Sequence, residues 1–121
     1  MKKFLVAFVM LTLVCTAMAQ TRSGFYELNP AQTVNIEAES NSIVFNFEAA
    51  SGEDVFKLRG RAKPAGRNVF EYRKVVQGKT ENYDCRIRFT FSQGYLTIKE
   101  NEDCRYDRFP IVSLDGRYRR D

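Results

Sequence analysis

From residue 24 onward, apolar and polar side chains alternate with a period of two residues along most of the chain. The clearest runs place Ile, Phe, Tyr or Leu at every second position, as in residues 43–47, 70–72, 87–91 and 96–98. This alternation predicts β-strands with one apolar and one polar face, and helical periodicity is nearly absent. We predict about eight strands, near residues 24–28, 33–38, 42–48, 54–62, 68–76, 83–92, 95–100 and 111–119.

Turn-forming residues separate these runs. They occur at Asn29-Pro30, Ser51-Gly52, Lys63-Pro64-Ala65-Gly66, Gln77-Gly78-Lys79, Gln93-Gly94 and Asp115-Gly116. Short strands at roughly 10-residue spacing are typical of an antiparallel sandwich or barrel. Because short connections favour pairing between neighbours, we prefer a meander that closes into a small barrel. The last strand is either continuous or broken into two pieces at Asp115-Gly116.

One predicted hairpin can be tested within the sequence. If Gln93-Gly94 is a two-residue turn, the facing pairs are Phe91 with Leu96, Phe89 with Ile98 and Ile87 with Glu100. The same register places Cys85 opposite Glu102, two residues from Cys104. A disulfide requires Cα atoms within about 7 Å, so the register that aligns the apolar pairs also favours a bridge.

The first 19 residues have a different pattern. Lys2 and Lys3 precede an apolar run over residues 4–14, and Ala17-Met18-Ala19 follows. This order predicts a secretory signal peptide cleaved between Ala19 and Gln20. The apolar run is shorter than the roughly 20 residues that a membrane-spanning helix needs. We therefore expect an exported protein, periplasmic or secreted, with no transmembrane segment after cleavage.

Cleavage changes the cysteine count and the expected fold. It leaves residues 20–121, which we predict to be a single all-β domain. Cys15 leaves with the signal, so the three cysteines of the chain become Cys85 and Cys104. An even pair in an oxidising compartment predicts a structural disulfide. Its closed loop of about 20 residues should stabilise the fold by roughly 3 kcal/mol.

Catalytic and metal-binding patterns are hard to find. The chain has no histidine, which excludes Ser-His-Asp and Cys-His catalysis and imidazole metal ligands. Phosphate-binding glycine loops and a Cys-x-x-Cys motif are also missing. We interpret the carboxylate pairs as solvated surface charge and predict a protein that is not an enzyme, with no cofactor and no metal. These pairs are Glu37 with Glu39, Glu53 with Asp54, and Glu100 with Glu102.

Charge is distributed unevenly along the chain. Loss of Lys2 and Lys3 lowers the formal net charge from +4 to +2, which weakens any case for a nucleic-acid partner. Residues 20–54 hold six acidic side chains against Arg22, and residues 55–79 hold eight basic side chains against Glu71. The two regions either pair inside the fold or bind a partner. The candidate partner-binding residues are Glu37, Glu39, Glu53, Asp54, Arg59, Arg61, Lys63 and Arg67.

The C-terminal half carries a resemblance to a known class of proteins. An alternating strand begins at Cys85, a turn and a second alternating strand lead to Cys104, and Asp115-Gly-Arg-Tyr-Arg follows. This order resembles small bacterial exported β-domains, which occur alone or after the helical module of lysozyme-inhibitor-like proteins. The resemblance is specific over residues 85–119. It implies an all-β fold, export and an association with lysozyme inhibition.

Two functions remain open. The first is an exported non-catalytic protein that binds another protein, with a lysozyme-type hydrolase as the specific candidate. Lysozymes are usually cationic, so the acidic residues 20–54 would form the contact face. The alternative is a periplasmic carrier of a small lipid-like ligand, in which the eight phenylalanines after the signal line a cavity. A barrel of this size is often filled by its own side chains.

Overall fold

The computed structural model describes residues 22–107 and 112–121 and is built from strands. A 3₁₀ helix, Glu102–Asp107, lies between the last two strands. The eight strands are β1 (Gly24–Asn29), β2 (Gln32–Ala38), β3 (Ile43–Ser51), β4 (Asp54–Gly66), β5 (Val69–Gln77), β6 (Asn82–Ser92), β7 (Tyr95–Glu100) and β8 (Gly116–Arg120).

The strands form a closed antiparallel barrel in which each strand pairs with its neighbours in sequence. The barrel closes where β1 pairs with β8, through Tyr26 with Arg120 and Glu27 with Arg119. The predicted all-β fold is therefore confirmed, and of the two forms considered it is the barrel rather than the sandwich. Closure removes most of the free strand edges that an open sheet would expose.

Aromatic side chains from strands that are not adjacent in the sheet meet in the barrel interior. The ring centroids of Phe45 and Phe89 lie 4.8 Å apart, and those of Phe45 and Tyr72 lie 5.2 Å apart. Tyr26 packs edge-on against Phe91 at one end. The rings thus contact one another in the core, and in this arrangement they occupy the space that a lumenal ligand would need.

The β6–β7 hairpin has the predicted register. Phe91 faces Leu96, Phe89 faces Ile98 and Ile87 faces Glu100 across a turn at Gln93-Gly94. Gly94 has a φ of 73°, a conformation that glycine adopts without steric cost. The disulfide joins Cys85 to Cys104, whose Cα atoms are 4.3 Å apart, as predicted.

The largest differences from the sequence prediction are the end of β4, the start of β8 and one helix. Lys63-Pro64-Ala65-Gly66 was expected to be a turn, but it belongs to β4, and the chain turns at Arg67 and Asn68. Asn68 adopts a φ of 59°, which asparagine tolerates better than most residues, so this turn needs no glycine. The last strand begins at Gly116 instead of residue 111, and the 3₁₀ helix was not predicted.

Carboxylates near the C-terminus accept hydrogen bonds from backbone N–H groups. Asp103 accepts the N–H of Asp84, Asp115 accepts that of Glu100, and Glu100 accepts that of Leu114. These contacts tie the 3₁₀ helix to β6, and Leu114 and Asp115 to the end of β7. The acidic side chains here therefore have a structural role, and the described residues contain no group of three or more His, Cys, Asp or Glu able to hold a metal ion.

The predicted signal peptide and its cleavage site at Ala19 and Gln20 lie outside the described residues and remain predictions. Within residues 22–107 and 112–121, no helix has the length and apolar character needed to cross a bilayer.

Candidate binding site at a strand seam

One ladder of the barrel is incomplete. β4 pairs with β5 through Lys63, Pro64 and Gly66, and the register is irregular between Pro64 and Gly66. Residues 54–62 of β4 have their ladder partners on β3, and residues 72–77 of β5 have theirs on β6. Proline has no N–H to donate, which weakens the ladder where the strands do meet. We call the stretch of these two strands that lies outside the β4–β5 ladder, residues 54–62 of β4 and 72–77 of β5, the seam.

Gly60 of β4 and Lys74 of β5 occupy positions in the seam where the alternation would place inward-facing apolar side chains. Extending the register of Lys63 with Glu71 would bring Gly60 opposite Lys74. Gly60 contributes no side chain to the interior, and Lys74 is exposed although its neighbours Tyr72 and Val76 face inward. A glycine facing a lysine cannot form the apolar cross-strand pair that stabilises a sheet. The sequence thus accounts for the end of the β4–β5 ladder at this point.

A cleft of ≈ 180 Å³ follows the seam. Phe56 and Leu58 of β4 and Tyr72 of β5 form apolar walls, and they are half-buried. By contrast, Phe45 of β3 and Ile87 and Phe89 of β6 are buried. Lys57 and Lys74 bring positive charge to the mouth. We call this feature the seam cleft; it is lined by Phe56, Lys57, Leu58, Tyr72, Lys74, Val76, Cys85 and Cys104.

Apolar side chains also flank the seam on the outer surface. Val55 on β4 is 54% exposed and Val75 on β5 is 59% exposed, the highest values among the large apolar side chains of the described residues. Apolar side chains beside strand edges without ladder partners are typical of a surface on which another chain can pair.

The predicted basic residues lie along the outer face of the same strand. Arg59, Arg61 and Lys63 alternate on β4 with the inward-facing positions, and Arg67 lies in the following turn. Among the described residues, Arg59, Lys63 and Arg67 form no ion pair. The edge of β4 therefore combines an apolar inner row with a basic outer row.

The acidic candidates are dispersed. Glu39 forms an ion pair with Arg61 at 2.8 Å, which brings two of the predicted residues together beside Lys63. Glu37 lies exposed on β2, and Glu53 and Asp54 lie at the β3–β4 turn. Internal pairing of acidic and basic regions is thus observed for Arg61, and also for Lys57 with Glu48 at 3.5 Å. The acidic residues do not form one continuous face.

Sequence reasoning did not identify the residues of the seam cleft as a site. Phe56, Leu58 and Tyr72 have the alternation of ordinary core residues, so their half-exposure was not visible in the pattern. Two residues of the sequence could have indicated the cleft. Lys74 interrupts the apolar inward-facing positions of β5, which are Phe70, Tyr72 and Val76, and Gly60 interrupts those of β4.

A second charge cluster lies on the neighbouring outer surface. Arg73 donates two hydrogen bonds to the Asp84 carboxylate at 2.9 Å, and Arg86 donates two more. These hydrogen bonds hold the pKa of Asp84 below its ordinary value of 3.8. The cluster links β5 to β6 beside the seam and neutralises part of the basic charge on β5.

A scan against protein-family models, a search of curated proteins and a search of solved structures return no match for this chain. The fold and the seam are therefore the basis for a functional assignment.

Proposed function

We propose that this chain is an exported, non-catalytic binding protein that captures an extended acidic segment of another protein on the edge of β4. The incomplete β4–β5 ladder is the observation that carries the proposal. An incoming strand would complete the hydrogen bonds of the edge, and its alternate side chains would enter the seam cleft. This mode of binding needs no catalytic group.

The two rows of β4 specify the chemistry of the partner. The inner row, with Phe56 and Leu58, suits apolar side chains at every second position of the segment. The outer row, with Arg59 and Lys63, suits acidic side chains at the positions between them. The partner is therefore an extended segment in which apolar and acidic residues alternate.

A synthetic peptide tests this recognition directly. The probe is a capped nonapeptide of alternating glutamate and valine, and the comparison peptide has lysine in place of glutamate. We expect calorimetry to detect binding of the acidic peptide and not of the basic one, with affinity falling as salt is added. Equal binding of both peptides, or of neither, would rule out the proposal.

Variants locate the binding surface. Arg59→Glu with Lys63→Glu should weaken binding of the acidic peptide at least 10-fold, since both charges are reversed. Leu58→Arg should weaken it by placing a charge in the seam cleft. The matched control is Lys99→Glu, an exposed position on the outer face of β7, which should bind the peptide as the unmodified protein does.

Export is part of the same proposal. The buried Cys85–Cys104 disulfide supports an oxidising compartment. Mass spectrometry of the protein recovered from the periplasm or the medium should give a chain that begins at Gln20. A chain that retains Met1 to Ala19 in its folded, exported form would contradict cleavage at this site.

Inhibition of a lysozyme-type hydrolase is the second candidate. One observation favours it: Glu53 and Asp54 lie exposed at the tip of the β3–β4 hairpin, where they can contact the surface of a cationic enzyme. The test is inhibition of c-, g- and i-type lysozymes, with Glu53→Gln plus Asp54→Asn compared against Glu81→Gln in the exposed β5–β6 loop. Activity of all three enzymes left unchanged by the protein would exclude this candidate.

A further inference from the structure

A separate cavity opens at the end of the barrel where β4 and β5 are paired. It measures ≈ 500 Å³ and lies among the start of β1, the β4–β5 turn, the β6–β7 turn and the end of β8. Tyr26 and Phe91 form its floor, and Arg22 and Arg120 form its walls. We call it the arginine cavity. Its volume is within the range of small-molecule sites, roughly 300–1,000 Å³.

The Arg22 guanidinium is held in position by two neighbours. Its NH2 group donates a 2.7 Å hydrogen bond to Asn68 Oδ1, and its central carbon lies 5.4 Å from the centroid of the Phe70 ring. The backbone at this position is also fixed, because the Tyr26 hydroxyl donates to the Arg22 carbonyl at 2.9 Å. A guanidinium held in this way loses less entropy when it binds a ligand.

The second arginine depends on a glycine for its position. A Cβ atom on Gly24 would lie 3.0 Å from Arg120 Nε, so the Arg120 side chain lies closely over Gly24. Gly24 has a φ of 151°, which residues with side chains rarely adopt. The backbone N–H of Arg120 donates to the Gly94 carbonyl at 2.8 Å, which ties β8 to the β6–β7 turn. The packing therefore sets Arg120 at the wall of the cavity.

Charge and surface together define a ligand class. The residues that line the arginine cavity carry two positive charges, and none of them has a carboxylate. Burial raises the pKa of the Tyr26 hydroxyl, and the nearby positive charge of Arg120 opposes part of that rise. A guanidinium binds a planar carboxylate through two parallel hydrogen bonds. The aromatic floor offers contact to an apolar body attached to that carboxylate.

We propose that the arginine cavity binds a small organic anion, a carboxylate on an apolar or aromatic body. Arg22 and Arg120 bind the carboxylate, and Tyr26 and Phe91 contact the apolar body. This site is distinct from the seam cleft, which lies beside the disulfide at the other part of the β4–β5 interface. It adds a small-molecule site to a protein for which we propose a protein-binding edge.

The test compares three probes by NMR titration of the purified protein. Benzoate carries both features, benzamide lacks the charge, and inorganic phosphate lacks the apolar body. We expect benzoate to shift the Gly94 amide and the Arg22 and Arg120 side-chain signals in a saturable way, and to bind at least 10-fold more tightly than benzamide or phosphate. Binding of benzamide as tight as that of benzoate would overturn the charge recognition, and tighter binding of phosphate would overturn the aromatic contact.

Variants separate this site from a general attraction of anions. Arg22→Gln and Arg120→Gln should each weaken benzoate binding at least 10-fold, and Arg119→Gln, on the outward face of β8, should not. Equal losses in all three variants would overturn the assignment. Both cavity variants should still bind the acidic nonapeptide, so failure of one proposal can be distinguished from failure of the other. Intact folding is checked by the β-sheet circular dichroism of each variant.

Discussion

The Tyr72 ring lies directly against the backbone of Gly60 across the seam. A Cβ atom on Gly60 would lie 2.8 Å from Tyr72 Cε2 and equally close to Phe45 Cζ. Phe45 is 1% exposed and cannot move without disturbing the core. Tyr72 is half-buried and faces the seam cleft, so it is the ring that can move. Gly60 therefore sets both the packing of the core and the shape of the cleft.

Gly60→Ala should destabilise the protein by about 1–3 kcal/mol, because the added methyl overpacks two rings. The measurement is urea denaturation followed by circular dichroism. Ala50→Val is the matched control, since it adds bulk at an exposed position on the neighbouring strand β3 and should change stability by less than about 0.5 kcal/mol. Equal stability of both variants would contradict the packing of Tyr72 on Gly60.

Replacing Cys85 and Cys104 together by alanine should lower the free energy of unfolding by about 3 kcal/mol. The bridge joins residues 19 positions apart, and losing it returns conformational freedom to the unfolded chain. Both cysteines are buried, so the native disulfide should also resist dithiothreitol until denaturant is added. Rapid reduction of the folded protein, or an unchanged unfolding midpoint in the double variant, would show that the disulfide does not stabilise the fold as proposed.

Tyr118→Phe should cost about 1–3 kcal/mol although it removes a single oxygen. The buried Tyr118 hydroxyl donates to the Leu114 carbonyl at 2.8 Å and accepts from Gln32 Nε2 at 2.7 Å, so its loss leaves both groups without that partner. Tyr95→Phe is the control, because the Tyr95 ring lies near the surface under Arg117. The account of this hydrogen-bond pair is wrong if the two variants unfold at the same urea concentration.

The Asp84 cluster should give the stability of the protein a component that is lost in acid. Arg73 and Arg86 lower the pKa of Asp84 in the folded state, so the cluster stabilises the fold above the ordinary carboxyl pKa of 3.8. This contribution disappears as the pH falls through the lowered pKa. The stability difference between the protein and Asp84→Asn should therefore be larger at pH 7 than at pH 2. An NMR titration that gave Asp84 a pKa of 3.8 or higher would contradict the cluster.

Local patterning was sufficient to predict most of the fold. Alternating apolar residues identified all eight strands, and the glycine at position 94 fixed the β6–β7 register and thus the disulfide. The Lys63–Gly66 error arose because Pro64 and Gly66 favour turns locally, whereas pairing with Phe70 and Val69 keeps them in β4. The 3₁₀ helix depends on Asp103 accepting the Asp84 N–H, a contact between distant residues that no local pattern records.

The candidate sites were less predictable for the same reason. Arg59, Arg61 and Lys63 were identified from charge alone, and the structure places them in one row on β4. The seam cleft depends on which strands fail to pair, and the arginine cavity brings Arg22 to Arg120 from opposite ends of the described chain. Which strands pair, and which distant residues come together, depend on the closed topology of the barrel and not on the residues adjacent in sequence.

Amide hydrogen exchange of β4 is the sharpest test of strand capture at the seam. In the free protein, alternate amides of residues 54–62 should exchange rapidly because this stretch lies outside the β4–β5 ladder, whereas the amides of β3, which lies between β2 and β4, should be protected throughout. Addition of the acidic nonapeptide should then slow exchange at those same β4 amides. Full protection of residues 54–62 in the free protein, or binding of the peptide without slower exchange there, would contradict strand capture at the seam.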